Sequence, residues 1–263
     1  MSLALAAVCL AVPSAYAADV EPVAAGKYVA LGDSYAVAPG TREYDNPDDP
    51  CRRGPSTYPR LWAQQHPSYS FVEASCSGAT TADLTSQQVP QLTADTTLVT
   101  VHVGGNDVGF VEVLKNCILT IDDKDCIAGV EAAKAAATSS LPGALASTYA
   151  AIRAKAPNAK VVVVGYPRLY TIGGSCGILG LSDRERTALN SGSDTLDSVL
   201  ASEAGKAGFT FLDPRTAFDP HTICSKGQAW VTSLEWNKID ESYHPNKAGH
   251  GEGYLPLLNA ITG

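Results

Sequence analysis

The sequence predicts a three-layer α/β/α sandwich around a mostly parallel, five-stranded sheet. Short apolar segments rich in β-branched and aromatic residues alternate with helical segments, a pattern typical of a parallel sheet with helices on both faces. Residues 161–164 are four consecutive valines, as in a strand buried on both faces. The 263 residues suit one α/β domain.

Each element follows from local residue patterns. Strands are predicted at residues 27–31, 69–74, 97–103, 160–164 and 209–212, where β-branched, aromatic or other apolar residues dominate. Helices are predicted at residues 58–65, 81–88, 130–156, 182–206 and 248–261. Ser182 and Glu185 form a capping-box pattern at the start of the fourth helix. The Pro142-Gly143 pair predicts an interruption of the third helix.

The first 17 residues are predicted to be a secretory signal peptide. They are rich in Ala, Leu and Val and end in Ala15-Tyr16-Ala17, a small-x-small cleavage pattern, although no Lys or Arg precedes the apolar run. A buried N-terminal helix is the alternative. The run is short for a membrane span, and no later stretch approaches ~20 apolar residues. We therefore expect one domain at residues 18–263, secreted to the extracellular medium and not inserted in a membrane.

The composition limits the partners and cofactors. A net charge of −8 argues against nucleic acid as a partner, because phosphate binding needs clustered Lys and Arg. Six cysteines follow the signal segment, an even number that predicts disulfides in an exported chain; nearest-neighbour pairing is the simplest of many arrangements. No cysteine or histidine spacing is typical of a metal site. We expect a monomer that needs neither metal nor cofactor.

Three candidate functional residues follow three consecutive strands. Ser34 comes after the first strand in Gly32-Asp33-Ser34, Gly78 follows the second strand, and Asn106 follows the third in a Gly-Gly-Asn segment. In open parallel sheets, ligands bind outside the carboxyl ends of the strands. The three residues are therefore predicted to lie around one site.

Their chemistry fits acyl transfer, which needs a nucleophile, a base and donors aimed at an oxyanion. Ser34 supplies the hydroxyl nucleophile, and His244, kept out of a helix by Pro245, supplies the base. The main-chain N–H groups of Ser34 and Gly78 and the side chain of Asn106 supply the oxyanion donors. Each residue alone is more often a turn residue, a helix cap or an ordinary histidine. Their order and placement together predict catalysis.

These segments resemble the SGNH, or GDSL, hydrolase family of serine esterases and lipases. The matching blocks are Gly-Asp-Ser-Tyr at 32–35, Ser-Gly-Ala at 77–79, Gly-Gly-Asn-Asp at 104–107 and Glu-Ser-Tyr-His-Pro at 241–245. The resemblance implies a flavodoxin-like fold, Ser34 as nucleophile, His244 as base, and Ser34, Gly78 and Asn106 as the oxyanion hole.

The chain is most similar to the secreted three-disulfide lipases and phospholipases of actinomycetes. That resemblance implies sequential disulfides, Cys51 with Cys76, Cys117 with Cys126 and Cys176 with Cys224.

Two positions depart from the usual family pattern. Tyr35 replaces the leucine of Gly-Asp-Ser-Leu, a change that the actinomycete group shares. The usual third triad residue is an aspartate three positions before the histidine, where this chain has Glu241, with Asp240 one position earlier. Either the Glu241 carboxylate or, as in some members of the group, a main-chain carbonyl, here that of Ser242, orients the imidazole.

We therefore expect a secreted serine hydrolase that cleaves carboxylic esters of acylglycerols or phospholipids through an acyl-enzyme. A carbohydrate-directed acetyl esterase is the alternative within the same chemistry, since the same catalytic residues serve both substrates. A catalytically silent secreted binding module is the alternative outside it. The substrate in the first two cases is a small-molecule or lipid ester.

Overall fold

The protein contains a five-stranded parallel sheet, as the sequence predicts. We describe a computed structural model for residues 26–119, 122–173 and 180–263; the predicted signal segment lies outside these residues. The strand order is β2-β1-β3-β4-β5, and every neighbouring pair is parallel. The strands are β1 Gly26–Gly32, β2 Tyr69–Glu73, β3 Thr96–His102, β4 Lys160–Val164 and β5 Thr210–Leu212. The predicted fold class is confirmed.

Helices connect the strands. They are α1 Tyr58–Gln65, α2 Thr81–Asp83, α3 Phe110–Leu119, α4 Asp123–Ser139, α5 Leu141–Lys155, α6 Asp183–Lys206, α7 Arg215–Phe218 and α8 Leu255–Thr262. The helix α2 continues as a π-helical turn at Leu84–Gln88, and a second π-helical turn at Gly249–Tyr254 leads into α8. In the described part of the chain, no helix has the length and apolar character needed to cross a membrane.

The predicted helix at residues 130–156 differs from the structure at its start and at its interruption, and one further helix was not predicted. The predicted interruption at Pro142-Gly143 falls earlier, at Ser140, because proline in the first turn of α5 costs no hydrogen bond. The helix before this break begins at Asp123 and not at residue 130, capped by the Asp122 side chain. Helix α3 was not predicted at all.

The sheet is covered on both faces, and its alternating side chains form two separate cores. Tyr28 of β1 packs on one face with residues of α1 and α8, whereas Val29 packs on the other face with residues of α5 and α6. The valines of β4 alternate between these cores in the same way. This arrangement explains why the 161–164 segment is apolar at every position.

Two disulfides lie in the described residues. Cys51 joins Cys76 across a sequence separation of 25, and Cys117 of α3 joins Cys126 of α4 across a separation of 9. Both pairs are those that the family resemblance implies. The third implied pair includes Cys176, which lies outside the described residues.

The two disulfides are expected to stabilise the fold unequally, because a longer closed loop loses more entropy when cross-linked. Replacing Cys51 and Cys76 with alanine should lower the free energy of unfolding by about 3.5 kcal/mol, and replacing Cys117 and Cys126 by about 2.6 kcal/mol. Urea unfolding of the two double variants beside the parent protein, without reductant, measures both losses. A larger loss from the Cys117–Cys126 variant would contradict this account.

Candidate active site

One pocket is lined by all four residues that are predicted to carry the chemistry. Ser34 lies in the turn after β1, Gly78 follows β2, Asn106 follows β3, and His244 lies in the loop before the Gly249–Tyr254 turn. The pocket has a volume of about 460 Å³ and opens at the carboxyl edge of the sheet. A parallel sheet places these strand ends together although they are distant in sequence.

Ser34 and His244 are in direct contact. The distance between Ser34 Oγ and His244 Nε2 is 2.8 Å, although the residues are 210 positions apart. Removal from water lowers the pKa of the His244 imidazole to about 4, because burial disfavours its charged form. The ring is therefore neutral at pH 7, and Nε2 can accept the hydroxyl proton of Ser34.

The Glu241 carboxylate does not orient the imidazole by a hydrogen bond. Its Oε1 accepts a 2.9 Å hydrogen bond from the Tyr44 hydroxyl, and its Oε2 lies 3.4 Å from both Arg42 Nε and Lys238 Nζ. These partners, and not the imidazole, hold the side chain. The structure therefore gives no support to Glu241 as a carboxylate partner of His244.

Main-chain carbonyl groups also act on the imidazole. The carbonyls of Ser242 and, to a smaller extent, Glu241 favour the protonated ring and oppose the lowering of its pKa by burial. His244 Nδ1 has no hydrogen-bond partner of normal geometry in the described part of the chain. Of the two predicted orienting groups, the effect on the pKa of the ring favours the Ser242 carbonyl, which raises it more than the Glu241 charge does.

Gly78 and Asn106 line the pocket together with Ser34. Gly78 has a φ of +81°, which favours glycine, and a Cβ added there would meet no atom within 4 Å, so its main chain is open to the pocket. Asn106 Nδ2 donates a 2.9 Å hydrogen bond to the carbonyl of Ala79, the residue after Gly78. One N–H of the Asn106 side-chain amide is thus bound to the loop after β2. The second N–H of the same amide is available to a ligand.

Asp33 is a site residue that the sequence analysis missed. Its buried carboxyl group accepts hydrogen bonds from the Tyr35 N–H at 2.9 Å and from the Tyr166 hydroxyl at 2.5 Å. The Tyr166 hydroxyl in turn accepts a 3.2 Å hydrogen bond from the N–H of Gly105. Burial raises the pKa of Asp33 to about 7. This network holds the Ser34 turn against the end of β3.

Tyr35 positions the loop that carries the base. Its hydroxyl donates a 2.5 Å hydrogen bond to the carbonyl of Tyr243, and its ring centroid lies 5.4 Å from that of His244. Tyr243 has a φ of +62°, an uncommon conformation for a residue with a side chain. The signal in the sequence was the departure from Gly-Asp-Ser-Leu, since a phenol can make this hydrogen bond and leucine cannot.

The main chain around Gly40 also supports the base. A Cβ at position 40 would lie 2.2 Å from the carbonyl oxygen of Pro245 and 2.7 Å from that of His244. Only glycine permits so close an approach of the two loops. The loop after Ser34 therefore fits directly against the loop of His244.

Helix α3 provides an apolar wall of the pocket. Phe110, Val111, Leu114 and Ile118 line the wall on this helix, and Ile239 joins them from the loop before His244. Val111 and Ile239 are exposed, so the wall extends to the mouth of the pocket. This lining can accommodate a hydrocarbon chain.

Comparison with known proteins identifies the family of the chain. Residues 30–251 match the GDSL-like lipase/acylhydrolase family. The chain belongs to this family. It is 45% identical to lipase 1 of Streptomyces coelicolor over 261 residues, which covers 99% of this chain and 96% of that protein.

Two solved structures are similar along nearly their whole length. A phospholipase A1 from Streptomyces albidoflavus NA297 matches with a TM-score of 0.84 and 46% identity, covering 89% of this chain and 98% of that one. An extracellular lipase from Streptomyces rimosus matches with a TM-score of 0.86 and 41% identity, covering 90% and 100%. As a GDSL-family member, the protein is a carboxylic-ester hydrolase.

The lowered pKa of His244 predicts the acid limb of the pH profile of this hydrolase. Protonated imidazole cannot accept the Ser34 proton, so kcat/KM should fall as pH decreases through the pKa of about 4 and be constant above about pH 5. Initial rates on a soluble ester from pH 3.5 to 8 measure the midpoint, with tryptophan fluorescence to exclude acid unfolding. A midpoint at the ordinary histidine value of about 6.5 would contradict the effect of burial.

Glu241→Gln tests which group orients the base. The substitution removes the charge but retains an acceptor for Tyr44, so kcat should change less than about fivefold, as expected for a partly exposed ion pair. The variant for comparison is His244→Ala, which removes the imidazole itself and should lower kcat by about 10³-fold. If Glu241→Gln lowers kcat as much as His244→Ala does, the carboxylate is the orienting group and the main-chain account is wrong.

Proposed function

We propose that the protein is a secreted serine lipase or esterase that hydrolyses acylglycerol or phospholipid esters through an acyl-enzyme. The observation that carries the proposal is the 2.8 Å contact between Ser34 Oγ and His244 Nε2 beside an apolar pocket wall. A nucleophile within hydrogen-bond reach of a neutral base is what acyl transfer by serine requires.

In the proposed reaction, Ser34 Oγ attacks the ester carbonyl while its proton passes to His244 Nε2. The negative charge that develops on the carbonyl oxygen is stabilised by the N–H groups of Ser34 and Gly78 and the side-chain amide of Asn106. His244 then donates its proton to the departing alkoxide, which leaves an acyl group on Ser34. Water, deprotonated by His244, attacks this acyl group and releases the carboxylic acid.

Two observations support a lipid ester as substrate. The wall formed by α3 and Ile239 presents mainly aliphatic side chains, which suit an acyl chain, whereas sugars are bound by stacked aromatic and polar groups. The similar proteins named above are lipases and a phospholipase A1. A carbohydrate acetyl esterase is therefore the less favoured alternative, and the intact Ser34–His244 pair disfavours a catalytically silent module.

Secretion is supported by three independent features. The first 17 residues have the pattern of a signal peptide, and disulfides are typical of exported proteins. The similar protein from S. rimosus is an extracellular lipase.

Ser34→Ala tests the proposed function. The variant should keep the thermal unfolding midpoint of the parent protein but lose at least about 10³-fold in kcat on esters, because it lacks the nucleophile. A fluorophosphonate should add its mass to Ser34 in the parent protein and add none in the variant. His244→Ala, which keeps the serine without its base, is the matched control and should be labelled far more slowly.

Turnover retained by Ser34→Ala would overturn the proposal. A panel of glycerol esters of increasing chain length, with a phospholipid and an acetylated xylan beside it, identifies the substrate class. Hydrolysis of the xylan alone would select the carbohydrate alternative.

A further inference from the structure

The pocket contains an arginine that makes no ion pair. Arg52 lines the pocket together with Ser34, Gly78 and His244. In the described part of the chain, no Asp or Glu forms an ion pair with Arg52, whereas most other arginines there have acidic partners. A guanidinium that is partly buried in a mainly apolar pocket without a carboxylate is suited to an anionic ligand.

The backbone at Arg52 is held in an uncommon conformation. Arg52 has a φ of +56°, where glycine would be less strained. Its N–H donates to the carbonyl of Asp49 at 3.0 Å, and the Asp49 carboxylate accepts the N–H of Cys51, also at 3.0 Å. Residues held in such uncommon conformations cluster at binding and active sites.

The same turn is fixed to the oxyanion segment. The Cys51–Cys76 disulfide joins the residue before Arg52 to the segment that leads to Gly78, and the Ser77 N–H donates a 3.2 Å hydrogen bond to the Cys51 carbonyl. Arg52 therefore has a constant position relative to the oxyanion donors. The turn that carries Arg52 and the segment that carries Gly78 thus form one cross-linked unit.

The orientation of the guanidinium is also constrained. It lies over the Tyr44 ring, 5.3 Å from the ring centroid, and Tyr44 is itself anchored to Glu241. Stacking uses the face of a guanidinium and leaves N–H groups on its edges available.

The pocket has another cation, Lys115, but Lys115 pairs with Glu112 at 3.1 Å. Asp240 also lines the pocket and makes no ion pair with Arg52.

We propose that Arg52 binds the phosphodiester group of a glycerophospholipid whose ester carbonyl lies at Ser34. The inference rests on the proposed function and names the substrate class of the same site. Phosphate oxygens accept the paired N–H groups of a guanidinium, and the short glycerol backbone connects the phosphate to the ester. The acyl chain then lies against the apolar wall of α3. Arg52 makes the enzyme selective for phospholipids over neutral glycerides.

Arg52→Met tests this role by a ratio of activities. Dioctanoylphosphatidylcholine and dioctanoylglycerol, at equal mole fraction in the same detergent micelles, present the same acyl chains with and without phosphate. The ratio of their kcat/KM values should fall about tenfold or more in the variant, the usual effect of losing a charge-assisted hydrogen bond. Because the ratio is taken within one variant, partial loss of folded protein does not affect it.

Two variants serve as comparisons. Arg52→Lys keeps the charge without the fork of N–H groups, and its ratio should lie between those of the parent protein and Arg52→Met. Arg184→Met removes an exposed arginine of α6 that does not line the pocket, and its ratio should equal that of the parent protein.

Each contrary outcome has a distinct meaning. An unchanged ratio in Arg52→Met, with both substrates hydrolysed by the parent protein, overturns the role of Arg52 and leaves ester hydrolysis standing. If the parent protein hydrolyses dioctanoylglycerol but not the phospholipid, the role of Arg52 is likewise overturned and ester hydrolysis stands. Hydrolysis of neither substrate overturns the proposed function together with this inference.

Competition experiments distinguish a lipid phosphate from free phosphate. Glycerophosphocholine should inhibit hydrolysis of a soluble neutral ester by the parent protein, and the inhibition should weaken in Arg52→Met. Inhibition by inorganic phosphate alone, lost in Arg52→Met, would assign the site to free phosphate and overturn the head-group role.

Discussion

The geometry of the site depends on the buried carboxyl group of Asp33. It accepts the N–H of Tyr35 on one oxygen and the Tyr166 hydroxyl on the other, and that hydroxyl accepts the N–H of Gly105. One carboxyl thus connects the ends of β1, β3 and β4, beside which Ser34 and Asn106, the proposed nucleophile and one proposed oxyanion donor, are placed. A buried polar group of this kind is favourable only when its hydrogen bonds are made, so the strand ends are held in one arrangement.

The base is held differently from the nucleophile. His244 comes from a loop near the C-terminus, and its position depends on the Tyr35 hydroxyl, which binds the preceding main-chain carbonyl. A main-chain carbonyl carries a partial charge where a carboxylate carries a full one, so it opposes the effect of burial on the imidazole less strongly. Burial lowers the pKa of the ring by more than these carbonyls and the charges of Asp240 and Glu241 together raise it.

The sequence predicted the fold, and it named four candidate residues that the structure brings to one pocket, because both predictions depend on local patterns. The strand-end positions of Ser34, Gly78 and Asn106 follow from the parallel sheet, and the valine run of β4 could belong only to a buried strand. Helix α3 was missed because its apolar residues line a pocket as well as a core. The roles of Asp33 and Tyr166 depend on contacts between residues far apart in sequence, which no local pattern records.

The sequence also could not choose the group that orients His244. A glutamate at position 241 matches the expected carboxylate in type and place, but its direction is decided by Tyr44, Arg42 and Lys238. Arg42 and Tyr44 come from a different loop, and Lys238 is the residue before the 3₁₀ turn Ile239–Glu241. Similarity of residue type at a motif position is therefore weaker evidence than the contacts of the side chain.

The close approach of Gly40 to the carbonyls of His244 and Pro245 has a consequence for redesign of this enzyme. Two loops whose main chains touch cannot change length independently, so insertions near either loop would separate the base from the nucleophile. Altered substrate preference is better sought in side chains that face the pocket from α3, such as Leu114 and Ile118. The loops that carry Ser34 and His244 therefore tolerate little change, whereas the side chains of α3 that line the pocket can be substituted.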